Sequence, residues 1–164
     1  MRYALIYGLI SGTVIMAVIL GGSRLAPNAA IFQTVWFGYT VMVVAMTFLF
    51  VGVKRYRDVE KGGVIRFLPA LGMGLAIGLV AVLAYVVIWE AYLAATNYAF
   101  IDLYFSGSDP ETVAMRETYS NPLWRAFYTA LELGPVALVM ALVSAGLLRN
   151  PKLLPARHST RHNS

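Results

Sequence analysis

The sequence contains no cysteine. That absence excludes disulfide bridges, thiolate catalysis and cysteine-held metal ions. Histidine is nearly absent as well: His158 and His162 are the two in 164 residues, and both fall in the last stretch of the chain, beside Arg157 and Arg161. No nucleophile–base–orienter set can be assembled from what is left, so no enzyme is expected, and no cofactor or metal. Charge is scarce too. Asp, Glu, Lys and Arg make up 13% of the residues, where a soluble domain carries about 25%. With 59% of the chain hydrophobic, a soluble fold would expose large apolar patches and associate. A bilayer as solvent removes that conflict.

What is present is four long apolar runs, at residues 3–22, 32–53, 67–89 and 126–148. Each is long enough to cross a hydrocarbon core of about 30 Å as a helix. The first is too long for the apolar part of a cleaved signal peptide and is read as a retained span. Gly21-Gly22-Ser23 and then Pro27 are expected to end it. The second opens with Trp36 and Tyr39, as an interfacial belt would. The segment from Lys54 to Gly63 is read as a short charged loop closed by a Gly-Gly turn. Pro69 falls in the first turn of the third run, where a missing N–H costs least.

After Trp89 the helix is expected to emerge from the membrane into a segment rich in Tyr and Phe. A short helix follows over residues 111–119, with Asp109 as its cap and Pro110 at its first position. Trp124 anchors the re-entry, Arg149-Asn150-Pro151 stops the fourth span, and a basic tail, residues 155–164, is expected to be disordered. The fold class is therefore all-α. It is a four-helix polytopic transmembrane bundle with a short outer helical and aromatic segment, in one membrane domain over residues 1–164.

Four spans place alternate loops on one side. Ten basic residues share one side: Arg2, Lys54, Arg55, Arg57, Lys61, Arg66, Arg149, Lys152, Arg157 and Arg161. Arg24, Arg116 and Arg125 share the other. This bias puts both termini in the cytoplasm and the longer loop outside, in a bacterial inner membrane. The net charge of +5 is thus a topology signal, and nucleic acid is not an expected partner.

Five blocks in order resemble one family of bacterial integral membrane proteins, the domain of unknown function 4199. They are FGYTVMVVAM at Phe37 to Met46, VKRYRDVEKGG at Val53 to Gly63, IWEAY at Ile88 to Tyr92, ELGPV at Glu132 to Val136 and SAGLLRNP at Ser144 to Pro151. The resemblance covers most of the chain. It implies an integral membrane protein and, by the family's own description, no assigned activity.

Glu132 and Glu90 are the candidate intramembrane carboxylates. Glu132 lies six residues into the fourth run, about 9 Å along the helix, and Pro135 loosens the hydrogen-bond ladder just after it. Glu90 ends the third run, about 36 Å from its start and so near the outer interface. The two spans run in opposite directions, so the carboxylates can approach one another and take protons, a cation or an amine. Each is otherwise a structural residue, Glu132 pairing with Arg125 or a tyrosine hydroxyl and Glu90 reaching headgroup water.

Lys54, Arg55, Arg57, Asp58 and Arg66 form a candidate cytoplasmic surface for a protein partner or anionic lipid. Gly8 with Gly12, and Gly74 with Gly78, are small-residue pairs that let helices approach closely, within the bundle or between copies of the chain. The aromatic stretch from Tyr92 to Tyr104 reads as an interfacial belt. Apart from the bilayer, the expected partners are a membrane protein or further copies of the chain. The favoured role is an accessory or assembly protein, and the alternative is a small oligomeric transporter or channel that uses Glu132 and Glu90.

Overall fold

The computed structural model describes residues 1–25 and 34–155. Among these residues there are seven helices and no strand. They are α1 (Arg2–Leu25), α2 (Val35–Ala45), α3 (Thr47–Glu60), α4 (Phe67–Ala95), α5 (Ala99–Tyr104), α6 (Pro110–Ser120) and α7 (Pro122–Leu148). α1, α2 with α3, α4, and α7 make four stretches long and apolar enough to cross a membrane. The all-helical, four-span architecture is the expected one, and the chain is a multi-pass membrane protein.

Several boundaries differ from expectation, each for a physical reason. α1 runs through Gly21 and Gly22 to Leu25. A bilayer offers backbone groups no other partners, so glycine does not break a helix there as it does in water. The second run is two helices with Met46 between them. Met46 has ψ −6°, and the Thr47 hydroxyl donates back to the Val44 carbonyl at 2.7 Å, a bond that bends helices. Residues 54–60 are not a loop. They are the last two turns of α3, held by an i,i+4 pair in which Lys54 Nζ lies 2.5 Å from Asp58 Oδ2. The loop begins only at Lys61, where Gly62 and Gly63 take φ +63° and +87°, values glycine adopts at no steric cost. The backbone N–H groups of Lys61 and Gly63 both donate to the Arg57 carbonyl and close the helix.

α4 extends six residues past Trp89, and α7 starts at Pro122. The Asn121 side chain caps α7, accepting from the backbone N–H of Leu123 at 2.9 Å. Asp109 caps α6 as expected, accepting from Thr112 N at 2.9 Å. The basic tail beyond Pro155, with His158 and His162, and the break at Pro27 lie outside the described residues.

α4 is the central post. It packs along α1 on one side and α7 on the other, and α3 lies across all three. The crossings are tight because the residues there are small. A Cβ on Gly8 would stand 2.7 Å from the Ile77 carbonyl oxygen, and one on Gly12 would stand 2.6 Å from that of Ala81. On the other flank, Gly74 faces Ala141 and Gly78 faces Ala137. All four glycines therefore face neighbours within this chain. Ile15, Met16, Met46, Leu49, Ile77 and Leu133 fill the space between the helices. Large apolar side chains face outward on every span, among them Leu9, Val44, Leu83 and Val139. Hydrocarbon chains are their natural neighbours.

Gly12→Val should therefore lower stability by about 1–3 kcal/mol, because a backbone carbonyl cannot step aside. Gly21→Val, where nothing lies within 4 Å of an added Cβ, should change it by less than about 0.5 kcal/mol. Thermal unfolding of both variants in the same detergent is the check. Equal melting temperatures would contradict the close crossing.

Candidate functional site

The functional geometry gathers at the end of the bundle that carries α5 and α6. α4 ends there in a corner made by two residues with left-handed backbone, Asn97 at φ +50° and Tyr98 at φ +58°. An aromatic residue in that region is strained. Tyr98 N donates to the Leu93 carbonyl at 2.8 Å, and the Arg125 guanidinium lies 5.1 Å from the Tyr98 ring centre. These contacts hold the corner. The corner in turn folds α5 back, so that Phe100 and Tyr104 come over the helix ends.

Arg125 is the residue whose surroundings were least expected. It stood among the outer-loop basic residues, yet it lies in the first turn of α7 with 3% of its side chain exposed. A buried guanidinium must have its charge and its donors met. Arg125 Nε and Nη2 reach the two oxygens of Glu90 at 2.7 and 2.6 Å, a two-pronged pair. Nη1 donates to the Tyr119 carbonyl at 2.9 Å and so ties the end of α6 to the pair. Glu90 therefore spends its charge on Arg125 rather than reaching only headgroup water.

Glu132 has a different neighbourhood. Its Oε2 accepts from the Tyr85 hydroxyl at 3.1 Å. Among the described residues it has no cationic partner, and as a residue it is exposed. The pairing with a tyrosine was one of the expected alternatives, and the pairing with Arg125 is not found. Glu90 and Glu132 thus belong to two separate contacts. α7 begins at Pro122, so Glu132 is about 15 Å from its start in a helix about 40 Å long, one turn before Pro135.

Glu132 lines a cavity of about 310 Å³ between α1, α2, α4 and the roof made by α5 and α6. Among the described residues it is the one charged side chain lining the space. Met16, Ile19 and Met42 supply the apolar floor, and Tyr39, Tyr85, Trp89, Phe100, Tyr104, Phe105 and Tyr119 supply rings. Five of the rings, from Trp89 through Phe100, Tyr104 and Phe105 to Tyr119, form a chain of contacts. Trp89 meets Phe100 edge-on at 5.0 Å, Phe100 stacks on Tyr104 at 5.3 Å, and Phe105 lies 5.2 Å from Tyr119. Burial, and then the neighbouring carboxylate of Glu132, push the Tyr119 phenol above its ordinary range. It remains a neutral hydroxyl at working pH, so the cavity wall carries no charge from that side. A second space of about 250 Å³ shares Ile19, Gly38, Trp89 and Phe100 with the first.

The aromatic segment was read as an interfacial belt. Phe100, Tyr104 and Phe105 line this cavity, and Leu103 and Tyr104 are at the same time largely exposed. The Asn97-Tyr98 corner and the short α5 that follows it bring Phe100 and Tyr104 to the cavity, and nothing in the composition announces it.

The opposite end of the bundle holds the charged segment expected to dock a partner or lipid. Arg57 is fully buried there. Its Nε reaches Asp58 Oδ1 at 2.7 Å, and its Nη atoms donate to the carbonyls of Leu153 at 3.2 Å and Leu154 at 2.5 Å. Lys54 is paired with Asp58, and Arg2 reaches Glu60 at 2.8 Å. Arg57 and Asp58 are thus spent on holding residues 153–154 against α3, and Arg55 and Arg66 are the exposed members of the expected surface. Among the described residues no group of three His, Cys, Asp or Glu side chains is placed to hold a metal ion.

The family model described as protein of unknown function (DUF4199) matches residues 2–150. No curated protein and no solved structure matches the chain.

The two carboxylates should differ in chemical reach. A hydrophobic carbodiimide, which approaches carboxyl groups from the apolar side, is expected to modify Glu132 and to spare Glu90 behind Arg125. In Arg125→Gln, Glu90 should become reactive. Peptide mass spectrometry after labelling in nanodiscs reads both sites, and equal labelling of the two in the native protein would contradict the separation.

Proposed function

The chain belongs to the DUF4199 family, and on that premise we propose that it is a small multi-pass carrier in which Glu132 supplies the charge that a transported solute or proton meets. The observation that supports this reading is the combination at Glu132: a carboxylate within a candidate membrane span, lining a cavity of about 310 Å³, with a tyrosine hydroxyl as its partner. An ionisable group at such depth is costly to keep and marks a pathway for ions or substrate by default. No chemistry on the solute is part of the reading.

The accessory or assembly role has less support. It rested on the charged segment at Lys54 to Arg66, and half of that segment is occupied within the chain. Glu90 also leaves the transport machinery and becomes the anchor of Arg125.

The carrier reading is tested in proteoliposomes with labelled benzyltrimethylammonium, choline, glycine and lactate as probes. At least one is expected to be carried by the native protein. Glu132→Gln should cut that flux by about tenfold or more, roughly the effect of losing a 1.4 kcal/mol interaction, with little change in melting temperature. Absence of flux for all four, or undiminished flux in the variant, would overturn the reading.

The charge bias supports an inner-membrane protein with cytoplasmic termini, with the cavity end facing outward. Because the chain has no cysteine, single cysteines report orientation cleanly. A cysteine at Ser108 should react with a membrane-impermeant thiol reagent in spheroplasts, and one at Lys61 should react only after lysis. The reverse pattern would invert the topology.

A further inference from the structure

We propose that the cavity at Glu132 takes an ammonium group carried on an apolar body, with the carboxylate as counter-charge and the surrounding rings as its cage. This deepens the carrier reading and rests on the same cavity.

The argument is one of elimination by chemistry. A proton needs no space, and about 310 Å³ is within the range of small-molecule sites. A bare divalent cation needs six or more oxygen ligands or a compact donor set, and Glu132 is the one carboxylate on the wall. An anion would meet that carboxylate in a poorly solvated place with no cation lining the space to offset it.

An ammonium suits every part of the wall. The faces of Trp89, Phe100, Tyr104 and Tyr119 attract cations through the ring quadrupole. Glu132 supplies the carboxylate, which accepts from the Tyr85 hydroxyl at 3.1 Å. The alkyl or aryl body of the ligand then covers the apolar floor. Trp89 meets Phe100 edge-on and Phe100 stacks on Tyr104, so these rings are held in place by one another.

Two sources present this chemistry, a free organic ammonium and the headgroup of an ammonium-bearing lipid such as phosphatidylethanolamine. Equilibrium dialysis of labelled benzyltrimethylammonium against full-length protein in phosphatidylglycerol nanodiscs is the test. One saturable site per chain is expected. Its uncharged carbon isostere, neopentylbenzene, should compete about tenfold or more less well, and Glu132→Gln should weaken binding by a similar factor, the scale of one desolvated cation–ring or ion contact. Equal affinity for the isostere, or unchanged affinity in the variant, would overturn the inference. Should Glu132→Gln fail to fold, Trp89→Leu decides: weakened binding of the cation with unchanged binding of the isostere supports the cage, and unchanged binding of both overturns it.

Repeating the titration with equal parts phosphatidylethanolamine separates the sources. Undiminished binding assigns the site to free ammonium compounds, and displacement assigns it to the lipid headgroup. The outcome is separable from the carrier test. Binding without flux leaves the ligand class standing and removes the carrier, whereas flux of glycine or lactate without ammonium binding does the reverse.

Discussion

A guanidinium inside a membrane protein must have its charge met by the protein itself, and Glu90 meets that of Arg125. Much of the α5–α6 end follows from this pair. It pins the start of α7 to the last turns of α4, so the two helices are joined by charge at one end and by small-residue contacts further down. It places a guanidinium over the Tyr98 ring, which steadies the left-handed corner at Asn97 and Tyr98. It also ties the end of α6 through the Tyr119 carbonyl. The roof of the cavity is thus fastened to the same residue that fastens the spans. Removing one partner would leave the other charged and half-buried, which costs more than the pair itself contributes.

The pair also decides what Glu132 can be. Had Arg125 turned one helical repeat further along α7, it would have met Glu132, and the cavity would hold a neutralised ion pair. Because Glu90 takes the guanidinium in both prongs, Glu132 keeps an uncompensated carboxylate beside a hydroxyl. Two acidic residues in the same half of the bundle therefore have opposite roles, one structural and one available. The difference comes from which neighbour each reaches and not from residue type.

Most of the fold was legible in the sequence, and the reasons are local. Four apolar runs of span length, bounded by basic clusters, leave a bilayer little alternative. Gly8, Gly12, Gly74 and Gly78 carry their spacing on their face, and each stands against a neighbouring helix of this chain. Asp109 with Pro110 specifies a helix start from four residues alone. What was not legible depends on partners distant in sequence. The helical character of residues 54–60 was hidden because a charged stretch beside Gly-Gly resembles a loop, and only the Lys54–Asp58 pair and the buried Arg57 make it a helix. The place of Phe100 and Tyr104 on the cavity wall depends on a backbone corner that no composition signals. The pairing of Arg125 with Glu90, 35 positions apart, is a choice between two acceptors that spacing cannot make.

The two ends of the bundle show why one of them is the better place for function. At the end that carries the chain terminus, the charged groups close on one another: Arg57 on Asp58 and the carbonyls of Leu153 and Leu154, Lys54 on Asp58, Arg2 on Glu60. Such closed sets stabilise a shape and leave little unmet demand for a ligand. At the other end the accounting leaves a remainder, a carboxylate with a hydroxyl and a wall of rings around an open volume. Natural sequences satisfy buried polar groups nearly everywhere. Glu132 is not among those buried groups: it is exposed as a residue, accepts from the Tyr85 hydroxyl and faces the open volume, and the carrier proposal is built on that difference.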